Sequence, residues 1–92
     1  MTATVRVVVS GRVQGVWFRA WTEQTARSFG LHGWVRNRRD GSVEAVVSGE
    51  PTAVAAMLEA FWQGPDLARV SAVERHPYDE PVTAGFAVKP TA

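Results

Sequence analysis

An α+β fold is predicted for this sequence: a β-α-β-β-α-β sandwich with an antiparallel sheet of four strands, a short fifth strand at its edge, and two helices on one face. Three observations predict it. Valine-rich runs occur at Ala3 to Ser10 and Ser42 to Ser48, and each is followed by a stretch with helical apolar spacing. Between the two helical stretches, Asp40-Gly41 separates two β-rich runs, which signals a hairpin. Two split β-α-β units of this kind pack as a ferredoxin-like sandwich. At 92 residues the chain makes one domain, spanning residues 1–92, and buries about 60% of the surface its unfolded form exposes.

In the first strand Val5, Val7 and Val9 alternate with Arg6, Val8 and Ser10. Val8 makes both faces apolar at one point, which suits a central strand. After SGRVQGVWFRA, residues Ser10 to Ala20, a helix is expected over Phe18 to Phe29, with Phe18, Trp21, Thr25 and Phe29 inward and Glu23, Gln24 and Arg27 in water. Gly30 stops it. His32 to Arg38 is the second strand, Ser42 to Ser48 the third, and Gly49 ends the latter. Pro51 to Gln63 is the second helix: proline suits its first turn, and Val54, Met57, Leu58, Phe61 and Trp62 form one stripe. Gly64-Pro65 terminates it. Leu67 to Glu74 is the fourth strand, HPYDEP a loop, and Gly85 to Lys89 the short edge strand.

Hydrophobic residues at 46% and charged residues at 21% place the chain with ordinary globular proteins. A net charge of +1 creates no strong global field, so any preference for anions must arise locally. The lack of cysteine removes disulfide scaffolds, thiolate metal sites and cysteine nucleophiles together. MTATVRVVV enters a strand without a leader pattern, and no run approaches membrane-spanning length, so a cytoplasmic location is expected.

SGRVQGVWFRA has the makings of an anion cradle. Gly11 and Gly15 allow close backbone approach, the following helix start presents unpaired amides, and Arg19 supplies a fork of donors. An internal comparison separates this from fold requirements. Val8-Val9-Ser10-Gly11 recurs as Val46-Val47-Ser48-Gly49, yet the second copy passes through Glu50-Pro51 straight into its helix. The first crossover is longer and cationic. Arg19 opposes the helix dipole at a cost of about 0.3 to 1 kcal/mol, which a bound anion offsets through charge-assisted bonds of roughly 1.5 to 3 kcal/mol each. The spacing does not fit a nucleotide P-loop.

Asn37 shares the strand face of Gly33 and Val35, although an asparagine beside a turn ordinarily just ends a strand. Arg36, Arg38 and Arg39 read as a solvated basic hairpin, and His32 and His76 as surface histidines. Trp17, Trp21, Trp34 and Trp62 read as core or site-wall residues.

The string GRVQGVWFR, followed one helix later by GWVRNRRDGSVE, resembles the acylphosphatase family. The resemblance extends through PTAVAAMLEAFWQGP to GFAVK, nearly the whole chain. It implies hydrolysis of the carboxyl-phosphate bond of acyl phosphates to carboxylate and inorganic phosphate, with no metal and no cofactor. It further implies that Arg19 holds the phosphoryl group with the amides of Gln14, Gly15, Val16, Trp17 and Phe18, and that Asn37 positions the attacking water. Lys89 stands where many relatives have arginine. A monomer acting on a small-molecule acyl phosphate, without nucleic-acid or membrane partners, is the expectation.

Such a sparse site is chemically sufficient. A carboxylate leaves without a general acid, an asparagine orients water without titrating, and phosphoryl transfer is catalysed mainly by positioning and charge stabilisation. An RNA-recognition domain would want aromatics on its central strands, and VRVVVS and SVEAVVSG have none. A ferredoxin-like metal carrier would want paired cysteines. The alternative reading is a non-catalytic anion-binding regulatory module on the same fold.

Overall fold

Alternation in the first valine run puts Val5, Val7 and Val9 on one face of β1 (Ala3–Arg12), and all are buried. The computed structural model describes every residue from Met1 to Ala92. After β1 come α1 (Phe18–Ser28), β2 (His32–Asn37), β3 (Val43–Gly49), α2 (Pro51–Gln63), β4 (Arg69–Pro77) and β5 (Phe86–Val88). The sheet order is β4-β1-β3-β2-β5. The β1–β3, β1–β4 and β2–β3 pairs are antiparallel, as expected, whereas β5 lies parallel to β2.

The register explains the core. Val5 faces Val47, Val7 faces Ala45 and Val9 faces Val43 across β1 and β3, and Val35 of β2 continues that layer opposite Ala45. Phe18 and Ala26 of α1 and Val54, Met57 and Phe61 of α2 close over the same face. Phe18 and Phe61 stack with their rings 6.2 Å apart, and Trp21 meets both at an angle. The buried stripe of α1 is Phe18, Thr22 and Ala26, turned from the expected one, so that Phe29 is 39% exposed. Burial of Thr22 is tolerated because its hydroxyl donates to the Phe18 carbonyl at 2.7 Å.

Two strands run further than their sequence suggests. β1 continues through Gly11 and Arg12 by way of a bulge after Ser10. There Gly11 has φ 116° and a Cβ would sit 2.2 Å from the Arg69 carbonyl oxygen, so this glycine serves the β1–β4 ladder rather than a cradle. β4 starts beyond the exposed Leu67 and runs through His76 and Pro77, which pair with Arg6 and Val5. Proline is accommodated because β4 is an edge strand.

With β4 and β5 at opposite edges, the connection between them crosses the sheet face away from the helices. It brings Tyr78 edge-on to Trp34, with ring centroids 6.5 Å apart, and the Gly85 amide donates to His32 Nδ1 at 2.8 Å. On this face Glu44 is buried between Arg6 and Arg36, whose Nε atoms donate to it at 2.5 and 2.6 Å. Burial pushes the Glu44 carboxyl up, but the two guanidiniums outweigh it and hold it below its ordinary value. Arg36 and Lys89 also lie over the Trp34 ring, 4.8 and 4.6 Å from its centroid. No helix is long and apolar enough to cross a membrane.

Candidate active site

Between β1 and α1 the chain alternates anchors with strained or open positions. Val13 and Val16 are buried in the core and fix the loop from below. Gly15, at φ 73°, is left-handed with open space where a Cβ would stand. Trp17 is left-handed as well, at φ 71° and ψ 15°, and is the N-cap of α1 without any side-chain cap. This geometry leaves the amides of Gln14, Gly15, Val16 and Trp17 without an acceptor in the chain. The first turn of α1 adds further amides that no helical carbonyl can reach.

The loop is tied to the β2–β3 hairpin by a side chain that sequence reasoning placed only as an amide donor. Gln14 Nε2 donates to the Arg38 and Ser42 carbonyls at 2.7 and 2.8 Å. The hairpin is itself braced: the Ser42 amide and hydroxyl donate to Asp40 Oδ1 at 2.9 and 2.6 Å. Those bonds, the hydroxyl one foremost, hold the Asp40 carboxyl below its ordinary value. No pattern in the sequence marks Gln14 as a strut, because its partners lie across the sheet.

Asn37 is the last residue of β2, opposite Val43, on the face of Gly33 and Val35 as its parity predicts. Its Oδ1 is buried without a hydrogen-bond partner, a costly arrangement for a polar atom unless something outside the chain fills it. Its backbone carbonyl accepts from the Ala92 amide at 3.0 Å, and Ala92 returns a carbonyl to the Arg39 amide at 2.9 Å. The chain after β5 therefore clamps the strand end that carries Asn37.

Arg19 is exposed in the first turn of α1 and pairs with no carboxylate. Glu23, one turn on, is engaged instead by Arg27 at 3.1 Å, and Arg27 also donates to the Phe86 carbonyl at 3.0 Å. The Arg19 fork is thus left free for an external anion.

Gly15, Trp17, Phe18, Arg19 and Asn37 line one cavity of about 510 Å³, together with Val13, Ala20, Glu23 and Val88. Gln14 and Val16 do not line it, since one side chain reaches the hairpin and the other the core. Glu23 and Val88 were not anticipated. Glu23 could have been found from its one-turn spacing to Arg19, whereas Val88 arrives only through the parallel placement of β5. His32 and His76 lie outside the cavity, one bonded to Gly85 and the other 3.5 Å from Glu74. No group of three or more His, Cys, Asp or Glu side chains gathers anywhere in the fold. The arrangement offers donors to an anion and one unfilled acceptor beside them.

Comparison with known proteins bears on that arrangement. The acylphosphatase family model matches residues 5–88. An acylphosphatase of Rhodospirillum rubrum is 51% identical over 88 residues, covering 96% of this chain and 97% of that protein. One of Azorhizobium caulinodans is 52% identical over 92 residues, covering 99% of each. The structure of an acylphosphatase from Coxiella burnetii superposes with a TM-score of 0.91 at 36% identity, over 96% of this chain and 93% of that one.

Proposed function

The chain belongs to the acylphosphatase family, and we propose that Arg19 with the amides of Gln14, Gly15, Val16, Trp17 and Phe18 holds the phosphoryl group while Asn37 positions the attacking water. The protein is an acylphosphatase, an enzyme that hydrolyses the carboxyl-phosphate bond of acyl phosphates. One observation carries the assignment of roles: Gly15 and Trp17 with their unpartnered amides, an unpaired Arg19 and the orphaned Asn37 Oδ1 share a single cavity.

The chemistry follows from those groups. Arg19 presents parallel N–H donors to phosphoryl oxygens, and each charge-assisted bond contributes about 1.5 to 3 kcal/mol. The loop amides add fixed dipoles that need no reorganisation as charge develops. Asn37 Oδ1 accepts a hydrogen bond from water and aims its oxygen at phosphorus. The P–O bond to the acyl group breaks as the new P–O bond forms, the carboxylate departs with the electron pair, and the water proton passes to a phosphoryl oxygen. Asn37 does not titrate and takes no proton.

Residues 1–92 act in this reading as one domain, a monomer working on a small molecule that the cavity of about 510 Å³ can admit. Purified protein is expected to release inorganic phosphate from benzoyl phosphate and acetyl phosphate with a chelator present. No release above the uncatalysed background would favour the anion-binding module.

A further inference from the structure

Trp17 is out of place by two independent measures. Its indole is 75% exposed, while Phe18, Trp21 and Phe61 pack into one another beneath it. Its backbone is the only non-glycine position in the chain with positive φ. A bulky residue held left-handed is a strained choice where glycine would sit freely, and such strain concentrates at ligand sites. Packing does not account for it, because the side chain packs against no other aromatic ring.

Trp17 lines the cavity that also holds Arg19 and Asn37. Of the cavity's large apolar side chains, Val13 and Phe18 are buried and belong to the core, so only Trp17 and Val88, the latter 43% exposed, offer apolar surface to a ligand. They come from different elements, the loop before α1 and the strand β5. In-line attack by a water held at Asn37 sends the leaving acyl oxygen to the opposite side of phosphorus. The acyl group then projects beyond the phosphoryl site, into a space of about 510 Å³ that a phosphoryl group alone does not fill.

We infer that Trp17 is a specificity-determining residue that docks the acyl moiety, and that aromatic acyl phosphates are the preferred substrate class. This rests on the hydrolytic reading above. A flat acyl ring can stack on the indole face and bury apolar area that an acetyl group lacks.

The test compares kcat/KM for benzoyl phosphate with that for acetyl phosphate in the native protein, Trp17→Gly and Trp17→Phe. Glycine adopts φ 71° without strain, so the loop backbone survives the first substitution. Expected is a fall of about tenfold in the benzoyl-to-acetyl ratio for Trp17→Gly, carried mainly by KM, with Trp17→Phe restoring most of it. On the native protein, benzylphosphonate should inhibit at concentrations about tenfold below methylphosphonate. An unchanged ratio in Trp17→Gly, or equal inhibition by the two phosphonates, overturns the inference while leaving the hydrolytic reading intact. Failure of the native protein to turn over either substrate overturns both.

Discussion

The side-chain amide of Gln14 donates to the backbone carbonyl of Arg38 at 2.7 Å, joining the loop before α1 to the hairpin that follows Asn37. A second bond, to the Ser42 carbonyl at 2.8 Å, makes this a two-point tie. The groups proposed to hold phosphate and the group proposed to hold water sit on separate elements, and Gln14 sets their spacing.

Gln14→Ala should therefore lower kcat about ten- to a hundredfold, because small misplacements of reacting groups are expensive. It should also destabilise the fold by about 1 to 2 kcal/mol through two lost hydrogen bonds. Kinetics with benzoyl phosphate and a urea titration measure the two effects separately. Gln14→Glu, which cannot donate, should behave alike; native kcat in either variant would remove the positioning role.

For Arg19→Lys, a loss of at least about a hundredfold in kcat/KM is expected, since a point charge does not reproduce a planar fork. Arg19 is exposed and unpaired, so the melting temperature should hardly move. Near-native rates would show that Arg19 is not the phosphate ligand.

Asn37→Ala should reduce kcat far more than it weakens competitive inhibition by inorganic phosphate. The same substitution removes the orphaned Oδ1, so stability is expected to hold or rise slightly. Equal losses in turnover and phosphate affinity would argue against a role confined to water.

Stability in acid should depend on Glu44. Its carboxyl is held below the ordinary value of 4.5, so its pairing with Arg6 and Arg36 contributes fully above that value and is lost as pH falls through the lower folded one. Glu44→Gln should cost about 1 to 3 kcal/mol at neutral pH, by leaving two guanidiniums without their shared anion. It should also flatten the acid limb of the stability curve. Urea midpoints between pH 7 and pH 3 would show both, and parallel curves for the two proteins would contradict the pairing.

Much of this fold is written in local chemistry. Pro51 and Gly64 bracket α2 at Pro51–Gln63, and the alternation of Val5, Val7 and Val9 sets the buried face of β1. Arg19 and Asn37 come to one cavity, which their motifs anticipate. What stays hidden depends on long-range pairing. Gly11 looks like its neighbour Gly15 in the sequence, and only the Arg69 carbonyl pressed against it reveals a ladder bulge. Pro77 looks like a strand breaker, yet the edge position of β4 tolerates it. The Gln14 tie and the arrival of Val88 leave no local trace, because each is made by segments that meet only once the sheet is assembled.

The short parallel strand β5 has a consequence beyond lining the cavity. Without Phe86–Val88 and the following bonds to Val35 and Asn37, β2 would be an open edge whose free amides and carbonyls could pair with another chain. The segment that supplies Val88 is therefore also a guard against intermolecular strand addition beside the cavity, and loosening it would expose the protein to aggregation from that edge.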